Sequence, residues 1–406
     1  MAFIGDWAGG GALLADRPAE VAGADADPFA LLDQTGNGTW AGWLGYRLGS
    51  RLERLPPDGA RPVARPPAVL ARFGTVCRLD GDRRWWVESV DAADAGDVAR
   101  WQARIDHPAP PLGWSAGPVT SRPGRADHVG AVEETVLRIA AGQLYQANVC
   151  LRLEAQFSGS ALGLWCEAGA RLRPARAAFV TTEEGALASL SPEVFLLRHG
   201  RRVASMPIKG TRPQTEAGRQ DLLGAAKDRA EHVMIVDLVR NDLGRVCVPG
   251  SVHVPCLMEA EPLVGVWHLV STVGGTLAEG KGDAELVRAC FPPGSVTGAP
   301  KVAAQSLANR LEPTAREAYC GAAGFASPDH GLELNVAIRT IEVAGGQLWL
   351  GVGGGVVADS EGAAEWDECR AKAAPVLAAA RLLPWDQPSV RRAGAPGRCF
   401  DTALVV

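Results

Sequence analysis

Strand-like and helix-like segments follow one another irregularly along the 406 residues, and this order restricts the fold more than any other feature. Short apolar runs typical of strands come in groups, and helical patterns interrupt them at uneven intervals. A doubly wound parallel sheet needs a regular strand–helix repeat, because each parallel strand requires a crossover connection. The sequence therefore predicts an α+β protein with mainly antiparallel sheets.

The coarse pattern divides the chain into three parts. Residues 1–120 are predicted to be a strand-rich N-terminal portion that packs on the core, 121–385 the larger portion, and 386–406 a flexible tail. A linker is expected over 108–123, which is rich in proline. Strands are predicted over 68–73, 85–90, 147–153, 177–182, 194–197, 266–273, 334–343 and 347–352. Helices are predicted over 126–140, with Asp127 as N-cap, and over 216–242, 283–290, 300–311 and 363–383.

Composition excludes several classes of protein. The net charge is 41 − 46 = −5 with both signs interspersed, which argues against nucleic-acid binding. No apolar run reaches the roughly 18 residues of a membrane span, and the first residues lack the pattern of a signal peptide, so a cytoplasmic location is expected. The nine cysteines are scattered without a CxxC pair, which fits neither a disulfide framework nor a zinc site.

Two glycine-rich motifs resemble nucleotide-binding loops but lack the residues or spacing that such loops require. Gly351 to Gly355 lacks the third small residue of a dinucleotide fingerprint and does not open a helix. The segment 294–301 ends in lysine but lacks the spacing of a phosphate-binding P-loop. We retain only the weaker expectation that this second segment presents backbone N–H groups to an anion.

Two predicted helices each carry acidic residues three positions apart. These are Asp228 with Glu231 and Glu365 with Glu368, and Lys372 follows four residues after Glu368. Residues at i and i+3 share a helix face, so each pair can point in one direction. Either helix taken alone fits a solvated face with an ion pair. If both faces meet, four carboxylates require a hard cation among them, and Mg²⁺ suits such oxygen ligands.

Lysine and arginine residues elsewhere fit an acidic small molecule. Lys209, Arg339 and Lys301 lie near glycines or at predicted strand ends, although each alone is more often part of a surface ion pair.

Ten ordered motifs across about 125–380 resemble the chorismate-utilising enzymes, a family that includes anthranilate, aminodeoxychorismate, isochorismate and salicylate synthases. The motifs are QLYQANV, SPEVF, PIKGTRP, AEHVMIVDLVRNDLGRV, WHLVSTVGG, FPPGSVTGAPK, YCGAAGF, LNVAIRTIE, GVGGGVVADS and EWDECRAK. The resemblance implies a two-sheet core flanked by helices, with 121–385 as the chorismate-binding catalytic portion.

The resemblance also implies site residues. Glu231 and Glu368 resemble the direct Mg²⁺ ligands, with Asp228, where the family usually has Glu, and Glu365 in support. The groups that resemble those holding chorismate are Tyr319, Arg339, Lys372 and the backbone of Gly351, Gly353 and Gly354, with Thr297, Gly298 and His268 beside the ring.

Glu193 resembles the general acid that protonates the departing C4 hydroxyl. That role requires a raised pKa, from burial or from the nearby acidic residues. The alternative for Glu193 is a carboxylate at a helix N-terminus.

Two positions separate the subfamilies. Gln146 stands where isochorismate and salicylate synthases have a lysine that activates water, and an amide cannot be a general base near neutral pH. Lys209 gives PIKGT, as in aminodeoxychorismate synthases, where anthranilate synthases have PIAGT. An amine here can attack the ring while the C4 hydroxyl leaves, and ammonia then displaces it. Mg²⁺ is expected to neutralise the neighbouring carboxylates, which would otherwise keep the amine protonated.

The expected activity is therefore Mg²⁺-dependent amination of chorismate at C4, on the route to para-aminobenzoate and folate, with pyruvate retained. No glutaminase motif is recognisable, which implies a separate glutamine amidotransferase subunit as the ammonia source. The alternatives are C2 amination, as in anthranilate or 2-amino-2-deoxyisochorismate synthases, and a non-catalytic chorismate-binding homologue.

Overall fold

Two large antiparallel sheets form the centre of the protein, as seen in a computed structural model that describes residues 1–90, 95–110, 112–263 and 265–382. Within these ranges one sheet has twelve strands and the other ten. All strand pairs of the two sheets are antiparallel there, and helices cover their outer faces. The predicted α+β class with mainly antiparallel sheets is confirmed.

The strands are β1 (Ala2–Gly5), β2 (Gly11–Leu14), β3 (Glu20–Val21), β4 (Thr39–Leu44), β5 (Ala68–Phe73), β6 (Thr75–Leu79), β7 (Trp85–Ser89), β8 (Trp114–Ala116), β9 (Thr120–Arg122), β10 (Gln146–Gly159), β11 (Arg176–Thr182), β12 (Gly185–Ser191), β13 (Val194–His199), β14 (Arg202–Met206), β15 (Ile208–Pro213), β16 (His253–Leu263), β17 (Val266–Thr276), β18 (Gly298–Ala299), β19 (Ala322–Ser327), β20 (Gly331–Val336), β21 (Thr340–Ala344) and β22 (Gln347–Val356).

The helices are α1 (Pro28–Leu31), α2 (Gly49–Leu52), α3 (Ala95–Asp106), α4 (Arg125–Ala140), α5 (Ala161–Leu172), α6 (Glu216–Gly224), α7 (Ala226–Gly244), α8 (Asp283–Cys290), α9 (Lys301–Leu311) and α10 (Gly362–Ala379). Short 3₁₀ turns lie at Thr35–Asn37, Tyr46–Leu48 and Gly294–Val296.

The two sheets pack against each other through an aromatic core. Phe3 of the twelve-stranded sheet and Phe325 of the ten-stranded sheet lie edge to face, with ring centroids 5.6 Å apart, and Trp7 and Trp43 belong to the same cluster. A second apolar cluster joins the twelve-stranded sheet to α5 and α10, and a third joins the ten-stranded sheet to α1, α7 and α8. The architecture is thus four layers, because each sheet buries one face against the other and one against helices.

The N-terminal residues supply strands to both sheets. β1, β2, β6 and β7 lie in the twelve-stranded sheet, and β3, β4 and β5 lie in the ten-stranded sheet. The division of the chain at residue 120 stays a prediction. The tail expected over 386–406 lies outside the described residues.

Three predicted elements differ from the structure. The expected linker over 108–123 contains β8 and β9, which pair with the long strand β10 and satisfy its edge hydrogen bonds. The single polar helix predicted over 216–242 is two helices, because the chain is extended at Ala225 directly after Gly224. The strand predicted over 334–343 is broken, because the chain leaves the ten-stranded sheet after β20 and enters the twelve-stranded sheet at β21.

The predicted N-cap of α4 is also wrong. The helix begins at Arg125 after Gly124, and Asp127 lies in its first turn. A carboxylate there still interacts favourably with the positive end of the helix dipole.

Eight cysteines lie in the described part of the chain, where they are free, and all of them except Cys256 are buried. Cys399 lies outside the described residues. No helix in the described ranges is long and apolar enough to cross a bilayer.

Candidate active site

Lys209 and Gln146 meet at one carboxylate of α7. The Lys209 amine on β15 lies 2.8 Å from Glu231 Oε1, and the Gln146 amide at the start of β10 donates to the same oxygen over 2.7 Å. Lys209 Nζ also donates to the carbonyl of Ser295 at 3.0 Å. Burial alone raises the pKa of Glu231, but the charge and hydrogen bond of Lys209 outweigh it and hold the pKa below its usual range.

Glu193 lies between β12 and β13 and is only 3% exposed. Its Oε1 accepts a hydrogen bond of 2.6 Å from the Ser295 hydroxyl. Burial raises the Glu193 pKa to about 7, against the lowering effects of Ser295, Lys209 and Arg339. A carboxyl group with this pKa is partly protonated near neutral pH, so it can donate a proton. Of the two causes expected for such a shift, burial is the one that the structure shows.

His268 and Arg339 form a second polar pair. His268 Nδ1 lies 3.0 Å from the Gly210 carbonyl and 3.0 Å from Thr211 Oγ1, while Nε2 lies 3.4 Å from an Arg339 nitrogen. Burial lowers the His268 pKa to about 4, so the ring is neutral. A neutral ring that donates from Nδ1 to the carbonyl must accept at Nε2, which makes His268 an orienting partner for Arg339.

Arg339 occupies the break between β20 and β21 with φ of 48°. Burial lowers its pKa, and the carboxylate of Glu193 counteracts this. Among the described residues no carboxylate lies within ion-pair distance of Arg339, whereas most of the other arginines there have such a partner. A partly buried guanidinium without an anionic partner is suited to bind a carboxylate of a ligand.

Asp228 and Glu368 each have one cationic partner among the described residues. Arg212 lies 3.0 Å from Asp228 Oδ2. Lys372 lies 2.7 Å from Glu368 Oε1 in a half-exposed i,i+4 pair, of the kind expected for a solvated helix face, and it donates to the Gly353 carbonyl at 3.1 Å. Glu365 is different, since it is 4% exposed and its Oε2 has no hydrogen-bond partner among the described residues.

Carboxylates of α7 and α10 lie next to two adjacent glycines of β22. A Cβ atom placed on Gly354 would lie 2.7 Å from Glu365 Oε2 and 3.9 Å from Glu368 Oε1. A Cβ atom on Gly355 would lie 2.6 Å from Glu231 Oε1. Carboxylates of α7 and α10 therefore approach neighbouring residues of one strand, and side chains at these glycines would displace them.

The donor set fits a hard cation, although the described residues contain no ready-made group of three or more metal-ligating side chains. Burial raises the pKa of Glu365, and the neighbouring charge of Glu368 raises it further. A cation with oxygen preference, such as Mg²⁺, would compensate a buried carboxylate oxygen that lies beside a second carboxylate. Binding would require Glu368 to exchange Lys372 for the ion.

The remaining predicted site residues line the same region. The Tyr319 side chain packs against Gly351, where a Cβ atom would approach Cγ of the ring to 2.2 Å. Gly298 has φ of 133° and pairs with Ala147 in the sheet, so it lies next to Gln146. The Thr297 hydroxyl donates to the Pro293 carbonyl at 2.8 Å and stabilises the turn between them.

Lys301 does not join this group. Its amine lies 2.7 Å from Asp242 Oδ2 and 2.7 Å from the Cys290 carbonyl, and both charged side chains are largely buried. Its charge is therefore already compensated within the protein. Its expected part in binding an anionic substrate has no support in this geometry.

Ser295 also belongs to this site, although the sequence analysis above does not predict it. It lies in FPPGSVTGAPK, two residues before Thr297, and its hydroxyl is the one sequence feature that indicates such a role. A supporting network is likewise not predicted, in which Arg316 binds Glu312 and donates to the carbonyls of Asn148 at 2.7 Å and Val296 at 3.1 Å.

Residues 14–378 match the family model of chorismate binding enzymes. Aminodeoxychorismate synthase component 1 of Salmonella typhimurium is 37% identical over 333 residues, which cover 80% of this chain and 73% of that protein. Anthranilate synthase component 1 of Streptomyces coelicolor is 35% identical over 376 residues, which cover 85% and 73%. The crystal structure of anthranilate synthase component I from Streptococcus pneumoniae has the same fold, with a TM-score of 0.78 at 24% identity over 90% of this chain and 91% of that one.

Proposed function

The chain belongs to the chorismate binding enzyme family, and from this premise we propose that it is an aminodeoxychorismate synthase component 1, which aminates chorismate at C4. The aminodeoxychorismate synthase relative is 37% identical to this chain and the anthranilate synthase relative 35%. Overall similarity therefore does not decide whether chorismate is aminated at C4 or at C2. The choice rests on Lys209 and Gln146.

The observation that carries the proposal is the geometry of Lys209 and Glu193. The amine of Lys209 and the carboxyl of Glu193 are both bound by Ser295, one through its carbonyl and the other through its hydroxyl. A nucleophile and an acid held by one residue can act on the same ring.

The proposed reaction has two displacements. The Lys209 ammonium first gives up a proton to solvent. Its neutral nitrogen then forms a bond to the ring while the C4–O bond breaks, and the hydroxyl leaves as water with the proton of Glu193. Ammonia then bonds to C4, the bond to Lys209 breaks, and its electron pair returns to the lysine nitrogen. The excess proton of the added ammonia passes to solvent or to Glu193, which restores the acid.

The anionic ends of the substrate have partners in the same region. Arg339 supplies a guanidinium that has no ion pair among the described residues, and Lys372 lies at the Gly353 carbonyl, beside the strand against which Tyr319 packs. These groups would hold the two carboxylates of chorismate. Gln146 has no role as a base, because an amide does not accept a proton near neutral pH, and its nitrogen instead donates a hydrogen bond to Glu231.

Glu231 and Glu368 would hold Mg²⁺ directly, with Asp228 and Glu365 in support. When bound, the ion would compensate these carboxylates and bind a substrate carboxylate. Glu365 Oε2, which has no hydrogen-bond partner in the described part of the chain, supports this assignment.

A glutamine amidotransferase subunit would supply the ammonia. The designation component 1 in the relatives fits an assembly with a second subunit. A close cysteine–histidine contact, Cys369 Sγ to His128 Nε2 at 3.9 Å, does not provide a glutaminase nucleophile. Burial raises the Cys369 pKa to about 12 and lowers the His128 pKa to about 4, so a thiolate does not form there near neutral pH.

The test is incubation with chorismate, Mg²⁺ and ammonium, with products analysed by mass spectrometry and ultraviolet spectroscopy. The proposal expects 4-amino-4-deoxychorismate with the pyruvyl group retained. Anthranilate or 2-amino-2-deoxyisochorismate would show C2 amination instead, and tight chorismate binding without turnover would show a non-catalytic homologue.

A further inference from the structure

Ser295 contacts both groups to which the proposed chemistry assigns a covalent or proton-transfer step. Its hydroxyl donates to Glu193 Oε1 at 2.6 Å, and its carbonyl accepts from Lys209 Nζ at 3.0 Å. Glu193 precedes β13 and Lys209 lies on β15, so the two groups come from different parts of the ten-stranded sheet. The contact between them is made by a residue outside that sheet, on the 3₁₀ turn Gly294–Val296.

The turn that carries Ser295 is held on several sides. A Cβ atom on Gly294 would lie 2.7 Å from Leu238 Cδ2, so the turn packs closely against α7. The Val296 carbonyl accepts hydrogen bonds from Asn148 Nδ2 at 3.0 Å and from Arg316 at 3.1 Å. A turn fixed by its neighbours can fix the side chains that bind to it.

We propose that Ser295 is a positioning residue, which orients the Glu193 carboxyl and the Lys209 amine relative to each other for the two displacements. This inference rests on the proposed function and deepens it. Because the hydroxyl donates to Oε1, the proton of the neutral acid is placed on Oε2. Because the carbonyl accepts from Lys209, the amine is directed by a neutral group as well as by Glu231.

The protonation of Glu193 reports on this contact. The groups that face it are the Ser295 hydroxyl, the cations Lys209 and Arg339, and the backbone N–H of Ile208. All four favour the ionised carboxylate and oppose the effect of burial. Removal of the hydroxyl therefore raises the pKa of Glu193, and the acid stays protonated to higher pH.

The experiment measures kcat, KM for chorismate and the pH profile of kcat for 4-amino product in Ser295→Ala and Ser295→Thr, with saturating Mg²⁺ and ammonium. In Ser295→Ala we expect kcat at low pH, where Glu193 is protonated, to fall about three- to tenfold, as for a lost hydrogen bond between neutral groups. The alkaline limb of the kcat–pH profile should move to higher pH, and KM for chorismate should change less than twofold. Ser295→Thr keeps the hydroxyl and should restore both kcat and the limb.

Ser295→Cys protects the test against a folding defect in the alanine variant. The thiol has a similar size but donates weakly, so the limb should shift in the same direction by a smaller amount. A wild-type limb in both Ala and Cys variants, or a loss of rate that Thr does not restore, overturns the positioning role. If the unaltered protein makes no 4-amino product in the same assay, the proposed function fails first and the inference fails with it.

Discussion

Glu193 and Glu231 both lie beside Lys209, yet their protonation is shifted in opposite directions. Burial raises the pKa of Glu193 to about 7, whereas Lys209 outweighs burial at Glu231 and keeps its pKa below the usual range. The difference lies in the partners. Glu193 is hydrogen-bonded by a neutral hydroxyl, and Glu231 by an ammonium and an amide. The partner of a buried carboxyl, rather than burial alone, decides whether it is an acid or an anion.

The largest effect is expected when the lysine beside both carboxyls is removed. Lys209→Ala should lower 4-amino product formation by about three orders of magnitude or more, because the nucleophile is lost. Some C2 amination is expected to survive, since the site then resembles PIAGT. Product analysis by chromatography with mass spectrometry measures both.

Lys209→Arg is the matched control, because it keeps the positive charge beside Glu231 and removes the nucleophilic amine. Mass spectrometry of the unaltered protein after exposure to chorismate without ammonia should show an adduct on the peptide that contains Lys209. Formation of 4-amino product by Lys209→Ala at the original rate would reduce Lys209 to a carboxylate partner.

Replacement of the acid comes next in size. Glu193→Gln should lower kcat about a hundred- to a thousandfold, since the leaving hydroxyl no longer receives a proton. In the unaltered protein kcat should fall as pH rises through about 7, because Glu193 must be protonated to act and ionises there. The alkaline fall should be absent from the residual activity of the variant. An identical alkaline limb in Glu193→Gln would assign that ionisation to another group.

The proposed metal-binding role of the anionic Glu231 and Glu368 is tested by measuring Mg²⁺ dependence. Glu231→Gln and Glu368→Gln should each weaken the apparent Mg²⁺ affinity in turnover by about ten- to a hundredfold or more, because a ligand oxygen with its charge is lost. Asp367→Asn is the control, because Asp367 lies on the same helix, is exposed and pairs with Arg370. Mg²⁺ titrations that coincide for Glu368→Gln and Asp367→Asn would contradict the metal assignment.

The smallest effect is on stability, and it should have opposite signs at the two carboxyls. The folded pKa of Glu193 is raised from 4.5 to about 7, so its contribution is fully present below pH 4.5 and is lost as pH rises through 7. At pH 8 Glu193→Gln should therefore raise the free energy of unfolding by about 1 to 3 kcal/mol. Glu231→Gln should lower it at the same pH, because an ion pair is lost. Urea unfolding at pH 5 and pH 8 measures both changes, and a stabilisation of Glu193→Gln that is equal at the two pH values would rule out this origin.

Local patterns were sufficient for the elements that depend on nearby residues. The i,i+3 acidic pairs lie on α7 and α10 as expected, because helical spacing alone places them on one face. The antiparallel α+β class followed from the order of segments. The family indicated by the motifs is the family that the similar proteins show, whereas the roles of the individual site residues remain predictions.

Other features depended on contacts between distant segments. The break at Arg339 exists because the chain changes sheets there, and Lys301 is compensated by Asp242, which lies 59 positions away in sequence. The pairing of β18 with β10 places Gly298 beside Gln146. No local periodicity encodes these distances.

The amino-acid sequence specifies the chemical groups of the site: an amine at 209, an amide at 146, a carboxyl at 193 and a hydroxyl at 295. Their protonation states and their neighbours depend on how the chain folds. The pKa of Glu193 is raised because surrounding segments exclude water from it, and Ser295 joins it to Lys209 because a turn 86 residues beyond Lys209 packs against both. Solvent exclusion and proximity are properties of the assembled chain, since they arise from segments that are far apart in sequence.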